Sequence, residues 1–248
     1  MFSFKYIESV IALVVGLVIF TTLAIVGGIL LKKKDDKTRL LPIKIVWLIL
    51  IIMEIMKIYY LIGRDQGFYP NRYPIVFCSI AMFTYPMFCF KKNKYSELAL
   101  GISTIPMLIS VIFVLLTVGN NALIQSNGNF SIIHFHSIIY HLLIYAVSLY
   151  IIINRLYKFE FKKSLGVGLF LSGYILMATV LSLYIGGDIS FFGPGFNSSS
   201  YLAFLYNSIG YVSGNLLVAV AFTLVSILIY FFINLPTFIK RKGVKEND

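Results

Sequence analysis

The sequence contains few charged residues, which argues against an ordinary soluble domain. Only 12% of its 248 residues are Asp, Glu, Lys or Arg, whereas 59% are apolar and the mean hydropathy is +0.88. Soluble domains carry about 25% charged residues and need far less apolar surface to build a core. Lipid is therefore the expected surroundings of this chain, and the composition predicts an integral membrane protein.

Acidic residues are especially scarce, with 10 against 21 basic residues, so the formal net charge is +11. A nucleic-acid-binding protein would gather such an excess on one soluble face or arm. Here the basic residues form short clusters between long apolar runs. This pattern is typical of membrane topology, and no nucleic-acid partner is predicted.

Cysteine is also rare, which excludes a disulfide framework. The only two cysteines are Cys78 and Cys89, eleven residues apart. On one helix their separation is about 16 Å, because each residue adds about 1.5 Å. A disulfide within the chain cannot span that distance.

What the sequence has instead is a series of apolar runs, each close to the length that crosses a membrane. About 20 apolar residues span the hydrocarbon core of a bilayer. The first run lacks a cleavage motif for a signal peptide and is expected to remain as a helix. We predict an all-α, polytopic membrane bundle that forms a single domain over residues 1–248, with seven transmembrane helices at approximately 7–31, 40–63, 74–90, 98–118, 132–153, 165–186 and 202–233.

The basic residues predict the orientation of these seven helices. Short cytoplasmic loops retain Lys and Arg, whereas the opposite side has few. Every second connection is basic, and the loops 119–131 and 187–201 between them contain no Lys or Arg. We therefore predict a multi-pass protein of the cell membrane with its N-terminus outside and these clusters in the cytoplasm: Lys32, Lys33, Lys34, Lys37 and Arg39; Lys91, Lys92 and Lys94; Arg155, Lys158, Lys162 and Lys163; Lys240, Arg241, Lys242 and Lys245.

Ionisable residues inside the apolar runs are candidate site residues, because an unpaired charge there costs several kcal/mol. Glu54 and Lys57 share one face of the second run at i,i+3 spacing. A functional pair and a structural ion pair that fixes helix packing are equally compatible with this spacing. The pattern leaves both interpretations open.

Three histidines, His134, His136 and His141, lie in the outer half of the fifth run. One buried histidine is ordinarily hydrogen-bonded to a carbonyl, but three in one half of a helix favour a polar cavity. Imidazole is also a good metal ligand. No second group of ligating residues completes a metal site in the sequence, so neither a metal nor another cofactor is predicted.

Cys78 lies near the outer start of the third run. The predicted topology places it in the same half of the membrane as Glu54, Lys57 and the histidines. Most free cysteines in apolar helices only pack. A thiol beside an imidazole, however, can lose its proton and become a nucleophile that attacks esters.

The order of these features resembles the YwaF-like family of bacterial membrane proteins and their animal transmembrane acyltransferase relatives. Glu54 precedes a cysteine segment, Tyr-Pro-Ile-Val-Phe-Cys-Ser-Ile, at residues 73–80, and a histidine stretch similar to that of the family covers 135–145. The family's Gly-Gly-Asn-Tyr loop resembles Gly-Gly-Asp-Ile at 186–189, where Asp and Ile replace Asn and Tyr. The resemblance implies acyl transfer on phospholipids, with Cys78 and His141 as the reacting residues.

These observations lead to one principal hypothesis and two alternatives. The principal hypothesis is a membrane acyltransferase or a lipid thioesterase-like enzyme with membrane lipids as substrate, in which Glu54, Lys57 and His136 bind the substrate or support the reacting residues. The alternatives are a small solute or proton-coupled transporter and a non-enzymatic subunit of a membrane complex. Depth counted from the predicted span ends places His136 nearer to Cys78, whereas the resemblance selects His141. The oligomeric state is left open.

Overall fold

The computed structural model describes residues 4–62, 77–90, 93–109, 111–112, 132–185 and 203–245. Within these residues the chain is helical and contains no β-strand. The helices are α1 (Phe4–Leu31), α2 (Asp36–Ile62), α3 (Ile80–Phe90), α4 (Lys94–Ile102), α5 (Ile132–Ile153), α6 (Ser164–Ile185), α7 (Ala203–Ile209) and α8 (Tyr211–Lys245).

Five helices are long and apolar enough to cross a membrane, which supports a multi-pass membrane protein. The candidate spans are Leu13–Leu31, Asp36–Ile62, Phe135–Ile153, Phe161–Ile185 and Tyr211–Leu235, and the fourth includes the 3₁₀ turn Phe161–Lys163 that precedes α6. The third and fourth predicted runs correspond to shorter apolar helical segments, Phe77–Phe90 and Tyr95–Ile109. The number seven and the orientation stay predictions.

The start of α2 is fixed by a side-chain cap. Asp35 precedes the helix and accepts hydrogen bonds from the Thr38 backbone N–H at 3.1 Å and from the Thr38 hydroxyl at 2.5 Å. These bonds satisfy an N–H that the first helical turn would leave without a partner. They also hold the pKa of the Asp35 carboxyl below its ordinary value, because both donors favour the ionised form.

The chain divides into two compact units, the first containing α1 to α5 and the second α6 to α8. In the first unit, α5 packs against α1 and α2, and α3 packs between α2 and α4. In the second, α6 packs along α8. The expectation of a single domain stays a prediction.

Arg39 and Asn154 join α2 to the end of α5 in the first unit. Arg39 donates from Nε to the Asn154 side-chain oxygen at 2.6 Å and from a terminal nitrogen to the Asn154 carbonyl at 2.7 Å. The Asn154 amide donates to the Gly28 carbonyl of α1 at 3.2 Å. At Gly28 an added Cβ would lie 2.7 Å from Cγ2 of Ile153, so glycine permits this close approach of α1 and α5. These contacts join α1, α2 and α5 at one end of the first unit, the end at which the basic residues lie.

The candidate site residues lie toward the other end of the first unit. Along α2, Glu54 is fifteen residues beyond Arg39, a rise of about 22 Å. Cys78 and Ser79 belong to the 3₁₀ turn Phe77–Ser79 that leads into α3, and His136 and His141 lie in the first half of α5. The two ends of α2 therefore have different roles. The end with Arg39 joins α2 to α1 and α5, and the end with Glu54 contributes to the candidate site.

Candidate functional site

The thiol of Cys78 and the imidazole of His141 are in direct contact. Sγ lies 2.8 Å from Nε2, and the two residues are separated by 63 positions in the chain. Cys78 is 8% exposed and His141 is 9% exposed. The pair is therefore largely shielded by protein and held together by the packing of the α3 segment against its neighbours.

The second nitrogen of the His141 ring has a defined partner as well. Nδ1 lies 2.6 Å from the Ser137 carbonyl oxygen, one turn earlier in α5. A carbonyl oxygen only accepts hydrogen bonds, so Nδ1 must donate and carries the proton in the neutral ring. Nε2 then has a free lone pair directed at the thiol. This arrangement suits a base that takes the proton of Cys78.

His136 is oriented toward Glu54 rather than toward Cys78. Its Nε2 is 3.9 Å from a carboxylate oxygen of Glu54, and its ring stacks on Tyr140. The depth count that favoured His136 as the neighbour of Cys78 was wrong. Five helical residues separate His136 and His141 by about 7.5 Å of rise and about 140° of rotation, so the two rings face different neighbours.

Glu54 and Lys57 form the ion pair that their spacing predicts. The side chain of Glu54 is 3% exposed and that of Lys57 is 11% exposed. Each charge therefore has its principal compensation within α2. Both also interact electrostatically with Cys78.

Three further residues at this site were missed by the sequence analysis. Ser137 orients the imidazole through its carbonyl, Ser79 follows the thiol and is 1% exposed, and Tyr140 is 3% exposed between the two described histidine rings. A signal existed for Tyr140, which is four residues after His136 and therefore on the same face of α5. Backbone contacts such as that of Ser137 leave no trace in residue type.

Several predicted features fall on parts of the chain that the structure does not describe. The 186–189 loop and residues 73–76 lie outside the described residues, as does the side chain of His134. Among the described residues, no three His, Cys, Asp or Glu side chains come together in a group that could hold a metal ion. The described site consists of a thiol, two imidazoles, a phenol and an ion pair.

Comparison with known proteins identifies a family for this chain. No curated protein and no solved structure is significantly similar to this sequence. Residues 1–230 match the TMEM164 family of transmembrane proteins. That match covers nearly the whole sequence, and the chain belongs to the TMEM164 family.

Proposed function

We propose that this protein is a membrane-embedded acyltransferase that forms a thioester on Cys78. The observation that carries the proposal is the 2.8 Å contact between Sγ of Cys78 and Nε2 of His141, with the opposite nitrogen bound to a carbonyl. Nucleophilic catalysis needs such a base beside the nucleophile and a third group that orients the base. The resemblance to the YwaF-like proteins and their animal acyltransferase relatives points to the same two residues.

In the first half of the reaction, an ester-linked acyl group moves from phospholipid to the cysteine. His141 Nε2 takes the thiol proton, and the sulfur attacks the ester carbonyl carbon. The carbon–sulfur bond forms as the carbonyl electron pair moves onto oxygen. When that pair returns, the ester carbon–oxygen bond breaks, and the departing lysophospholipid oxygen takes the proton from His141.

In the second half, the thioester passes its acyl group to an acceptor hydroxyl. His141 removes the acceptor proton, the acceptor oxygen attacks the thioester carbon, and the carbon–sulfur bond breaks. The thiolate then recovers the proton from His141, which restores the starting state. With a lysolipid as acceptor the product is a remodelled phospholipid, and with water the product is a free fatty acid.

The ion pair contributes a fixed charge distribution next to this chemistry. Lys57 interacts electrostatically with Cys78, and its ammonium group favours the thiolate over the thiol. Glu54 neutralises Lys57 before substrate binds and also faces His136. In this scheme Glu54, Lys57 and His136 support the reacting pair and do not form bonds to substrate.

The experiment compares substitutions of two cysteines that are equally exposed but differ in their contacts. Cys78 and Cys89 are each 8% exposed, but among the described residues the thiol of Cys78 contacts a histidine and that of Cys89 does not. Purified protein is incubated with phospholipid carrying a radioactive acyl chain, with and without lysophospholipid. Wild type and Cys89→Ala should accumulate label that hydroxylamine removes, whereas Cys78→Ala should accumulate none. Full lipid remodelling by Cys78→Ala would overturn the proposal.

A second candidate function rests on the membrane charges. The contacts from Lys57 to Glu54 and from Glu54 toward His136 place three ionisable groups in succession inside a helical bundle. Such groups can pass a proton or a solute without a covalent intermediate. For a transporter of this kind, Glu54→Gln would abolish uptake into proteoliposomes and Cys78→Ser would preserve it. An acyltransferase gives the opposite dependence on Cys78.

A further inference from the structure

Tyr140 places a buried hydroxyl group next to the Cys78–His141 pair. The residue is 3% exposed, and its hydroxyl makes no hydrogen bond to any residue of the described chain. The phenol nevertheless lies next to the Ser79 side chain and interacts electrostatically with Glu54 and Cys78. It therefore lies among the polar groups of the candidate site, but none of them satisfies it in hydrogen-bonding geometry.

The ring of Tyr140 is held between two histidines. It stacks on His136 with centroids 5.4 Å apart and an interplanar angle of 21°, and it meets His141 edge-on at 6.1 Å and 73°. These contacts fix the plane of the phenol and leave rotation of the hydroxyl hydrogen free. A buried donor without an acceptor costs about 1–3 kcal/mol, and such groups in native proteins call for an explanation.

We propose that the Tyr140 hydroxyl donates a hydrogen bond to the oxyanion that forms when Cys78 attacks an ester or a thioester. The inference rests on the proposed acyl transfer and adds to it the group that stabilises the transition state. Among the described residues no acceptor meets the phenol in hydrogen-bonding geometry, and an oxyanion would be a stronger acceptor than the neighbouring Ser79 hydroxyl. A donor that waits unpaired and finds its acceptor only during the reaction lowers the barrier without strengthening substrate binding.

The atoms of the step balance without a further reactant. As the carbon–sulfur bond forms, the carbonyl electron pair moves onto oxygen, and that oxygen accepts the Tyr140 O–H. The phenol keeps its proton throughout. When the pair returns to carbon and the carbon–oxygen bond breaks, the hydrogen bond to Tyr140 is released.

The test uses Tyr140→Phe, which removes one oxygen atom and keeps the ring between the histidines. Loss of one oxyanion donor typically costs about 10²–10³ in kcat. We expect that decrease in the rate of transfer from phospholipid to lysophospholipid, with KM nearly unchanged. Tyr85→Phe is the matched control, because Tyr85 is 0% exposed and its hydroxyl is also unpaired in the described chain, yet its electrostatic neighbours are Tyr140 and Cys89.

A second measurement separates transition-state stabilisation from damage to the site. Iodoacetamide alkylates a thiolate by displacing iodide, so no oxyanion forms in that reaction. In a Cys89→Ser background, Tyr140→Phe should leave the rate of Cys78 alkylation within about twofold of the parent, whereas His141→Gln should slow it. If Tyr140 only packs, Tyr140→Phe should change the rates of alkylation and of acyl transfer together or leave both unchanged.

The outcomes distinguish failure of this inference from failure of the proposed function. If the parent forms labelled thioester and Tyr140→Phe forms it at the same rate, Tyr140 is not the oxyanion donor and the acyltransferase stands. If alkylation and acyl transfer fall equally in Tyr140→Phe, the hydroxyl acts on the structure of the site and the inference is again rejected. If the parent forms no thioester on Cys78, the proposed function itself is rejected.

Discussion

The imidazole of His141 lies 2.8 Å from the thiol of Cys78 because the ring is anchored one turn earlier by the Ser137 carbonyl. This anchor determines which nitrogen carries the proton in the neutral ring. The thiol therefore meets a base, not a second donor. Cys89, equally buried, has no such contact among the described residues, so the two cysteines should differ in reactivity.

The first prediction concerns that difference. Thiolate is the form that reacts with alkylating agents, and a histidine that accepts the thiol proton increases its fraction. In single-cysteine proteins, Cys78 should react with iodoacetamide at least about tenfold faster than Cys89. His141→Gln should remove the advantage, and His136→Gln should retain most of it. Mass spectrometry of timed samples gives both rates, and equal rates for the two cysteines would contradict an activated thiol.

The second prediction concerns the ion pair of Glu54 and Lys57. Removing one partner of a buried pair leaves the other charge uncompensated and typically costs about 3–5 kcal/mol. Glu54→Gln and Lys57→Met should each lower the thermal midpoint measured in detergent. The double variant should be more stable than either single variant, because it leaves no unpaired charge. Additive losses in the double variant would show that the two side chains do not act as a pair.

Much of the fold was predictable because membrane helices are encoded locally. The runs that became α1, α2, α5, α6 and α8 are apolar over about the thickness of the hydrocarbon core of a bilayer, and each provides a candidate span. The i,i+3 pair in α2 was predictable for the same reason, since both partners lie within one turn of one helix. Such features can be predicted without knowing which helices pack against each other.

The interruption of the fourth run was not predicted. A turn at Ser103 and Thr104 separates α4 from the helical residues 105–109. Ser103 donates its hydroxyl to the Ala99 carbonyl at 2.8 Å, and Thr104 donates to the Gly101 carbonyl at 2.5 Å. Hydroxyl groups that bond to nearby carbonyls compete with the helical backbone. Hydropathy averages do not register this competition.

The details of the site depended on contacts that are distant in sequence. Cys78 and His141 meet across 63 positions, so the choice between His136 and His141 required the relative placement of α3 and α5. Tyr140 was overlooked because it is one of 17 tyrosines, and residue type alone does not show which hydroxyl is buried without a hydrogen-bond partner in the described part of the chain. Packing, rather than pattern, determines both features.

The third prediction tests the orientation derived from Lys and Arg. A reporter fused at Asn121, outside the described residues, and one fused at Lys245 in α8 should report opposite sides of the membrane. The reason is that the loop around Asn121 contains no basic residue, whereas the Lys245 end follows a basic cluster. Phosphatase and fluorescent-protein fusions provide complementary readouts. The same side for both positions would refute the three spans predicted between them.

The fourth prediction uses two glycines of α6 that differ only in what lies opposite them. At Gly168 an added Cβ would lie 2.9 Å from Cα and 3.2 Å from the carbonyl oxygen of Thr223 in α8, whereas at Gly173 nothing lies within 4 Å. Alanine is favoured over glycine inside a helix by up to about 1 kcal/mol, so Gly173→Ala should be neutral or stabilising. Gly168→Ala gains the same helix preference but forces two backbones apart, and overpacking of this kind typically costs about 1–3 kcal/mol. Thermal unfolding in detergent should therefore show a lower midpoint for Gly168→Ala alone; equal midpoints would mean that α6 and α8 do not pack closely at Gly168.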